Sequence, residues 1–198
     1  MHLLYLHGFR SSPRSTKAQK MAAVVERLRC DGASVTWACP QLPPSPREAV
    51  ALIEATVQDW PRGEPGGLAV IGSSLGGFYA TVLAERTGCP AVLINPSVEP
   101  ARDLARHIGE QTSWQNPEDR FFFRAEFIDE LRALRPPAIT RPDRYFGIFA
   151  TGDEVLDWRE MQARYAACHL KIVSGSDHAL SDFDTHLPDL LAFLDRFA

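Results

Sequence analysis

The chain has 198 residues, 45% of them hydrophobic and 23% charged, with a net charge of −4. That is the composition of one soluble globular domain with a sizeable core. Basic residues are scattered among acids, which speaks against the cationic face of a nucleic-acid binder. No apolar run approaches the roughly 20 residues of a membrane span.

Strand-like sequence begins at His2 and leaves no room for a leader, so the expected location is the cytoplasm. His2–Tyr5 is a short apolar strand ending in Leu6-His7-Gly8, followed by a polar loop from Phe9 to Ser15. Thr16–Leu28 reads as a helix, with Met21, Val24, Val25 and Leu28 on one face. Ser34–Ala38 is a second strand, closed by the proline-rich stretch 40–46. Ser45-Pro46 followed by Glu48 is a helix start, and that helix is expected to run to about Trp60, where Pro61 stops it. Leu68–Ile71, Ala91–Ile94, Tyr145–Phe149 and Leu170–Val173 are further strands. Phe78–Arg86, Asp157–Ala167 and Asp182–Phe197 are further helices, the last with an apolar stripe of Leu187, Leu190, Leu191 and Leu194.

Strands alternating with helices at this spacing imply right-handed crossovers and a mostly parallel sheet of about six strands. The unbroken apolarity of Leu68–Ile71 and Ala91–Ile94 fits strands covered on both faces. No linker divides the chain, so residues 1–198 form a single domain. About fifty residues separate the fourth strand from the fifth, far more than a normal connection. Leu104 and Ile108 suggest one short helix there, and Phe127, Ile128, Leu131 and Leu134 another, with Trp114 and Phe121-Phe122-Phe123 between them. This insertion (about 97–140) is either an ordinary crossover with extra turns or a small helical cap over the site, and the cap is the preferred reading.

The chemistry centres on Gly72-Ser73-Ser74-Leu75-Gly76, which breaks a buried strand and leads into a helix. A G-x-S-x-G in that setting is a nucleophile elbow, with Ser74 at the apex. Gly72 and Gly76 flank it because a side chain at either position would crowd the turn. Asp153 lies just past the fifth strand and His178 just past the sixth, so Ser74, Asp153 and His178 follow one another as nucleophile, orienting acid and base. Asp157, Glu154 and Asp177 are weaker rivals for the acid: Asp157 reads as a helix-start charge, and Asp177 is too close to His178 in the chain to turn onto its ring. Gly8 is expected to take a positive φ and turn the backbone inward, leaving the Phe9 and Leu75 N–H groups as oxyanion donors. Gly8, Arg10 and Ser73 are expected to line the substrate site. Arg10, Arg14, Lys17 and Lys20 are either a solvated face or a docking patch for an anionic leaving group such as the phosphates of coenzyme A. His2, His107, His169 and His186 read as surface or satisfied core residues. Cys30, Cys39, Cys89 and Cys168 show no C-x-x-C spacing and read as free thiols. No metal-ligand cluster is visible, and the chemistry needs no metal or organic cofactor.

These motifs resemble those of the α/β-hydrolases. Tyr5-Leu6-His7-Gly8-Phe9-Arg10-Ser11-Ser12-Pro13, Gly72–Gly77, Asn95-Pro96, Thr151–Asp157 and Asp177-His178 together resemble the small YqiA/YcfP-like bacterial esterases over essentially the whole chain. The resemblance implies the three-layer α/β-hydrolase fold and a serine esterase acting on small-molecule esters, with acyl thioesters alongside oxygen esters. It also implies Ser74, Asp153 and His178 as the triad. An acyltransferase or another hydrolase on the same triad, and a non-catalytic binding module on this scaffold, remain the alternatives.

Overall fold

The computed structural model describes residues 1–63 and 65–198. The strands, in chain order, are β1 (His2–Leu6), β2 (Thr36–Ala38), β3 (Leu68–Ser73), β4 (Ala91–Ile94), β5 (Gly109–Thr112), β6 (Arg120–Phe123), β7 (Tyr145–Ala150) and β8 (His169–Val173). Six of them form one wholly parallel sheet in the order β2-β1-β3-β4-β7-β8. Every residue of β3, β4 and β7 is buried, which is why these runs carry no polar alternation.

The helices are α1 (Thr16–Cys30), α2 (Pro46–Thr56), α3 (Leu75–Thr87), α4 (Pro100–Leu104), α5 (Glu126–Leu134), α6 (Trp158–Arg164) and α7 (Phe183–Leu194). They split between the two faces of the sheet. Ala18, Met21 and Val25 of α1 join Phe183, Leu190 and Leu194 of α7 against Leu3, Tyr5, Ile71 and Ile94. On the other face, Ile53 of α2, Phe78 and Leu83 of α3, Leu131 of α5 and Met161 of α6 pack against Leu4, Leu6, Val70 and Leu93. This is a three-layer α/β-hydrolase fold. The strand order reverses between β1 and β3, so a crevice opens at the carboxyl ends of those two strands, where ligands bind in folds of this class.

The helix start at Ser45 forms as its sequence predicts. The Ser45 hydroxyl accepts from Glu48 N–H at 3.2 Å, and Pro46 opens the first turn. Several boundaries differ from the sequence pattern, two of them in the helices that flank β3. α2 ends at Thr56 rather than near Trp60, and α3 begins at Leu75 rather than Phe78. The second difference matters: Gly76 and Gly77 are helical, so the helix starts directly at the serine.

The insertion is not a purely helical cap. β5 and β6 pair as an antiparallel hairpin between α4 and α5. The aromatic run was legible as apolar but not as extended. Its burial alternates, with Phe122 exposed, Phe123 buried and Phe121 between, which is the period of a strand. The two readings of the insertion each describe part of it. Phe127, Ile128 and Leu131 of α5 sit in the main core as a crossover helix, while Phe121 and Phe123 of the hairpin pack edge-on to Phe9 in the loop after β1.

Candidate active site

Ser74 adopts φ 57°, ψ −123°, a backbone conformation few side chains tolerate. It is held there from both sides. Ser74 N–H donates to Ile94 O at 3.0 Å, and Ser97 N–H donates to Ser74 O at 3.0 Å. Gly72 and Gly76 are required by contact: a Cβ on Gly72 would lie 2.2 Å from Gly76 O, and one on Gly76 would lie 2.0 Å from Leu6 O. The absence of both side chains lets α3 start tight against β1 and β3.

The loops after β7 and β8 meet above this turn. His178 Nε2 lies 3.0 Å from Ser74 Oγ, and His178 Nδ1 lies 2.8 Å from Asp153 Oδ2. The Asp153 side chain is fully buried, and that of His178 is one-fifth exposed. Asp153 Oδ1 accepts two backbone N–H bonds, from Val155 at 2.9 Å and Leu156 at 2.8 Å. The carboxylate is therefore an acceptor on both oxygens. That puts the imidazole proton on Nδ1 and leaves Nε2 free to accept the serine proton.

The loop after β1 completes the site. A Cβ on Gly8 would fall 3.1 Å from Ser74 Cβ and 3.5 Å from Ser74 Oγ. Glycine is needed here for close approach, not for the positive φ its sequence context suggested; the left-handed residue of this loop is Arg10, at φ 60°. Among the described residues, no acceptor takes the Phe9 or Leu75 N–H. Leu75 is the first residue of α3, where the positive end of the helix dipole adds to its N–H.

The sequence model of the uncharacterised protein family UPF0227 matches residues 2–195. The chain belongs to this family. UPF0227 is the YqiA/YcfP family that the opening and elbow motifs resemble. Solved structures with the same fold include Est1E from Butyrivibrio proteoclasticus, at TM-score 0.67 and 16% identity, covering 99% of this chain and 86% of that one. The esterase domain of a Rhodothermus marinus protein superposes at TM-score 0.64 and 17% identity, over 99% of this chain and 87% of that one. Mouse alpha/beta hydrolase domain-containing protein 10 gives TM-score 0.66 at 16% identity, over 98% and 90%.

In this UPF0227 chain the rival acids have other work. Asp157 caps α6, accepting from Arg159 N–H at 2.9 Å. Asp177 is bound to Ser181 through its N–H and its hydroxyl, at 2.9 and 2.6 Å, and this holds its carboxyl below the usual range. Glu154 accepts from His178 N–H at 2.9 Å, a tie on the backbone of the loop that spacing alone did not suggest. Ser73 is buried against the Tyr5 hydroxyl.

His7 is buried between two backbone groups. Its Nδ1 donates to Gly8 O at 3.0 Å, and its Nε2 accepts from Leu42 N–H at 3.1 Å. Burial lowers its pKa, so the ring is held neutral. It links the Gly8 loop to the proline-rich loop after β2. His186 is only half satisfied: Nε2 pairs with Asp182 at 3.0 Å, while Nδ1 is buried without a partner among the described residues.

Two clefts flank the Gly8 loop. One, of about 400 Å³, is lined by Ser74, His178, Ser73, Lys17, Lys20 and Trp114. The other, of about 530 Å³, has apolar walls from Leu42, Pro43, Pro44, Leu75, Tyr79 and Phe121. The four basic residues do not form one ring. Lys17 and Lys20 line the first cleft, Arg10 and Arg14 the second. Arg10 is engaged within the protein: Nε donates to Thr112 O at 2.7 Å, Nη2 to Thr112 Oγ1 at 3.2 Å, and the guanidinium lies 3.9 Å over the Trp114 ring. Lys20 pairs with Asp184 at 2.7 Å, and Lys17 donates to Ala179 O. Burial pulls the Lys17 ammonium down to about 8, against the opposing pull of Asp177 and Asp153. Among the described residues no cluster could hold a metal ion, and no helix is long and apolar enough to cross a membrane.

Proposed function

We propose that this protein is a serine esterase that cleaves carboxylic esters through an acyl-enzyme. The observation that carries the reading is the pair of short contacts that His178 makes, one from each ring nitrogen. With Nδ1–H committed to Asp153 at 2.8 Å, Nε2 faces the Ser74 hydroxyl at 3.0 Å as a base. Ser74 Oγ attacks the ester carbonyl as Nε2 takes its proton. The Phe9 and Leu75 N–H groups hold the oxyanion. His178 then returns the proton to the leaving oxygen as the C–O bond breaks, and water repeats the sequence on the acyl-serine.

The leaving atom must lie within reach of His178 Nε2. This supports a leaving group in the 400 Å³ cleft, which holds Ser74 and His178, and an acyl chain in the 530 Å³ cleft beside Leu75. The same steps cleave a thioester, with thiolate as the leaving group, so acyl thioesters belong to the proposed substrate class. Four free cysteines, Cys30, Cys39, Cys89 and Cys168, favour a reducing compartment.

A fluorophosphonate probe tests the reading, because only an activated serine reacts. The expected adduct maps to Ser74 by mass spectrometry. Ser74→Ala abolishes both labelling and p-nitrophenyl ester hydrolysis, whereas Ser73→Ala keeps most of both. Equal loss in the two folded variants, or a wild type that neither labels nor turns over, would sink it.

A further inference from the structure

One short segment is hydrogen-bonded to Ser74, to His178 and to the strand end that precedes Asp153. At the end of β4, Ile94 O and Ser97 N–H bracket the Ser74 backbone, each at 3.0 Å. Asn95 lies between them, with no exposed surface and φ 41°. Its side chain reaches the other two loops. Nδ2 donates to Asp177 O at 3.0 Å and to His178 O at 3.1 Å, while Oδ1 accepts from Ala150 N–H at 2.8 Å. Ala150 is the last residue of β7, three before Asp153. The amide cannot be turned over, because the two carbonyls only accept and the Ala150 N–H only donates. No smaller polar side chain supplies two donors and an acceptor from one rigid plane, and asparagine tolerates the left-handed backbone that this corner requires.

Other ties on the His178 loop, among them Glu154 to His178 N–H, Gly175 N–H to Thr151 Oγ1 at 2.8 Å and Gly152 N–H to Gly175 O at 2.9 Å, involve exposed residues. Asn95 itself has no exposed surface, so water competes little for the bonds of its side chain. Resting on the esterase reading above, we propose that Asn95 is the positioning residue that fixes the His178 loop and the Asp153 strand end over Ser74, so that the two hydrogen bonds of the row form together. It touches neither substrate nor the reacting atoms.

The test uses Asn95→Ala, Asn95→Asp and a control, Thr81→Val. Thr81 is equally buried and hydrogen-bonded, to Tyr165 OH at 2.8 Å, but lies within α3 away from the row. Asn95→Ala should lower kcat on p-nitrophenyl acetate about 10²-fold, as displacements near 1 Å do, with KM within about threefold. Thr81→Val should lose similar thermal stability with kcat almost unchanged. Asn95→Asp has a sharper signature. While the buried carboxyl keeps its proton it donates to one of the two carbonyls. Once ionised it repels both. Its rate should therefore fall at alkaline pH, along a limb that the wild type lacks.

A readout that needs no turnover is the low-field proton resonance of the His178 Nδ1–H in its bond to Asp153. It should be present in wild type and Thr81→Val and lost or shifted in Asn95→Ala. Should Asn95→Ala not fold, the Asn95→Asp pH profile and resonance decide. An Asn95→Asp profile superimposable on wild type with the resonance unmoved would overturn the proposal, as would Asn95→Ala with the kcat of Thr81→Val. A wild type without esterase activity would instead overturn the esterase reading, and the resonance would still decide the role of Asn95.

Discussion

Asp153→Asn separates a working triad from an inert scaffold, and the structure dictates what the amide would do. Asp153 Oδ1 accepts from the Val155 and Leu156 N–H groups at 2.9 and 2.8 Å. Those two donors would hold the amide oxygen of the variant in the same place. The NH2 group would then occupy the position of Oδ2 and point at His178 Nδ1. A donor there selects the tautomer with its proton on Nε2, which cannot take the proton of Ser74. The fold should survive, because both backbone bonds are kept and the volume is unchanged. In serine hydrolases this exchange costs about 10⁴ in kcat, which is about 5.4 kcal/mol of transition-state stabilisation at 1.36 kcal/mol per decade. The assay is steady-state hydrolysis of p-nitrophenyl butyrate, with circular dichroism to confirm folding. Asp157→Ala, run beside it, should lose a helix cap worth roughly 1 kcal/mol and keep its turnover. A folded Asp153→Asn enzyme within tenfold of wild type would refute the assignment of the acid and the tautomer argument with it.

Three other outcomes follow from contacts around the same loop. Gly8→Ala places a methyl group 3.1 Å from Ser74 Cβ and 3.3 Å from Ser73 O, so the loop must retreat from the nucleophile. Loss of one oxyanion donor's alignment should lower kcat by about 10², read as kcat at unchanged thermal midpoint. Arg10→Ala removes two hydrogen bonds to Thr112 and the stack on Trp114. At about 2 kcal/mol for a charged hydrogen bond, amide exchange across residues 109–123 should speed up by roughly thirtyfold; unchanged exchange would mean that the hairpin is held elsewhere. His7 gives a pH signature. Burial lowers its folded pKa below the unfolded value near 6.5, so between those two values the unfolded chain binds more protons than the native one. Stability must therefore fall as pH drops through that window and level off below it. His7→Gln lacks this slope, and its thermal midpoint should fall less than that of wild type between pH 7 and pH 5. Parallel curves would show that His7 is not held neutral by burial.

Much of the fold is written in periodicities that a single sequence displays. The parallel sheet follows from apolar runs without alternation, and the nearness of Ser74, Asp153 and His178 follows from three strand ends that a parallel sheet must bring to one edge. What escaped the sequence is of a different kind. Asn95 ended a strand before a proline and carried no local signal for its role. Its three partners lie 55, 82 and 83 residues away, and only the strand order makes them neighbours. Glu154 looked like a candidate acid because its carboxylate is near the right place; that it takes the His178 N–H instead depends on loop geometry that spacing does not encode. The hairpin was missed because Gly109–Thr112 has no apolar run and Phe121-Phe122-Phe123 is apolar without alternation, so neither shows period two in sequence. Gly8 was singled out for the wrong physical reason: its need for a missing Cβ comes from a contact with Ser74, 66 residues on.

The insertion and the strand ends divide the labour, and the reason is mechanical. The groups of the proposed chemistry hang from a sheet whose register is fixed by buried parallel ladders. Shifting them would require unpairing core strands. The hairpin is not part of that ladder. It leans on the site through Phe9, packed edge-on against Phe121 and Phe123, and through Arg10, stacked on Trp114. Yet its residues face both clefts: Trp114 and Gln115 line the one that holds Ser74, while Ser113, Asp119, Arg120 and Phe121 line the other. On the proposed reading, substitutions there reshape the space for either half of the ester without displacing the Ser74–His178–Asp153 row. Phe121→Ala should accordingly change the preference between short and long acyl chains, read as a ratio of kcat/KM values, while leaving the rate of fluorophosphonate labelling at Ser74 within about threefold of wild type. A large fall in labelling, with the acyl preference unchanged, would show that the hairpin acts on the reacting groups through Phe9 and that the division does not hold.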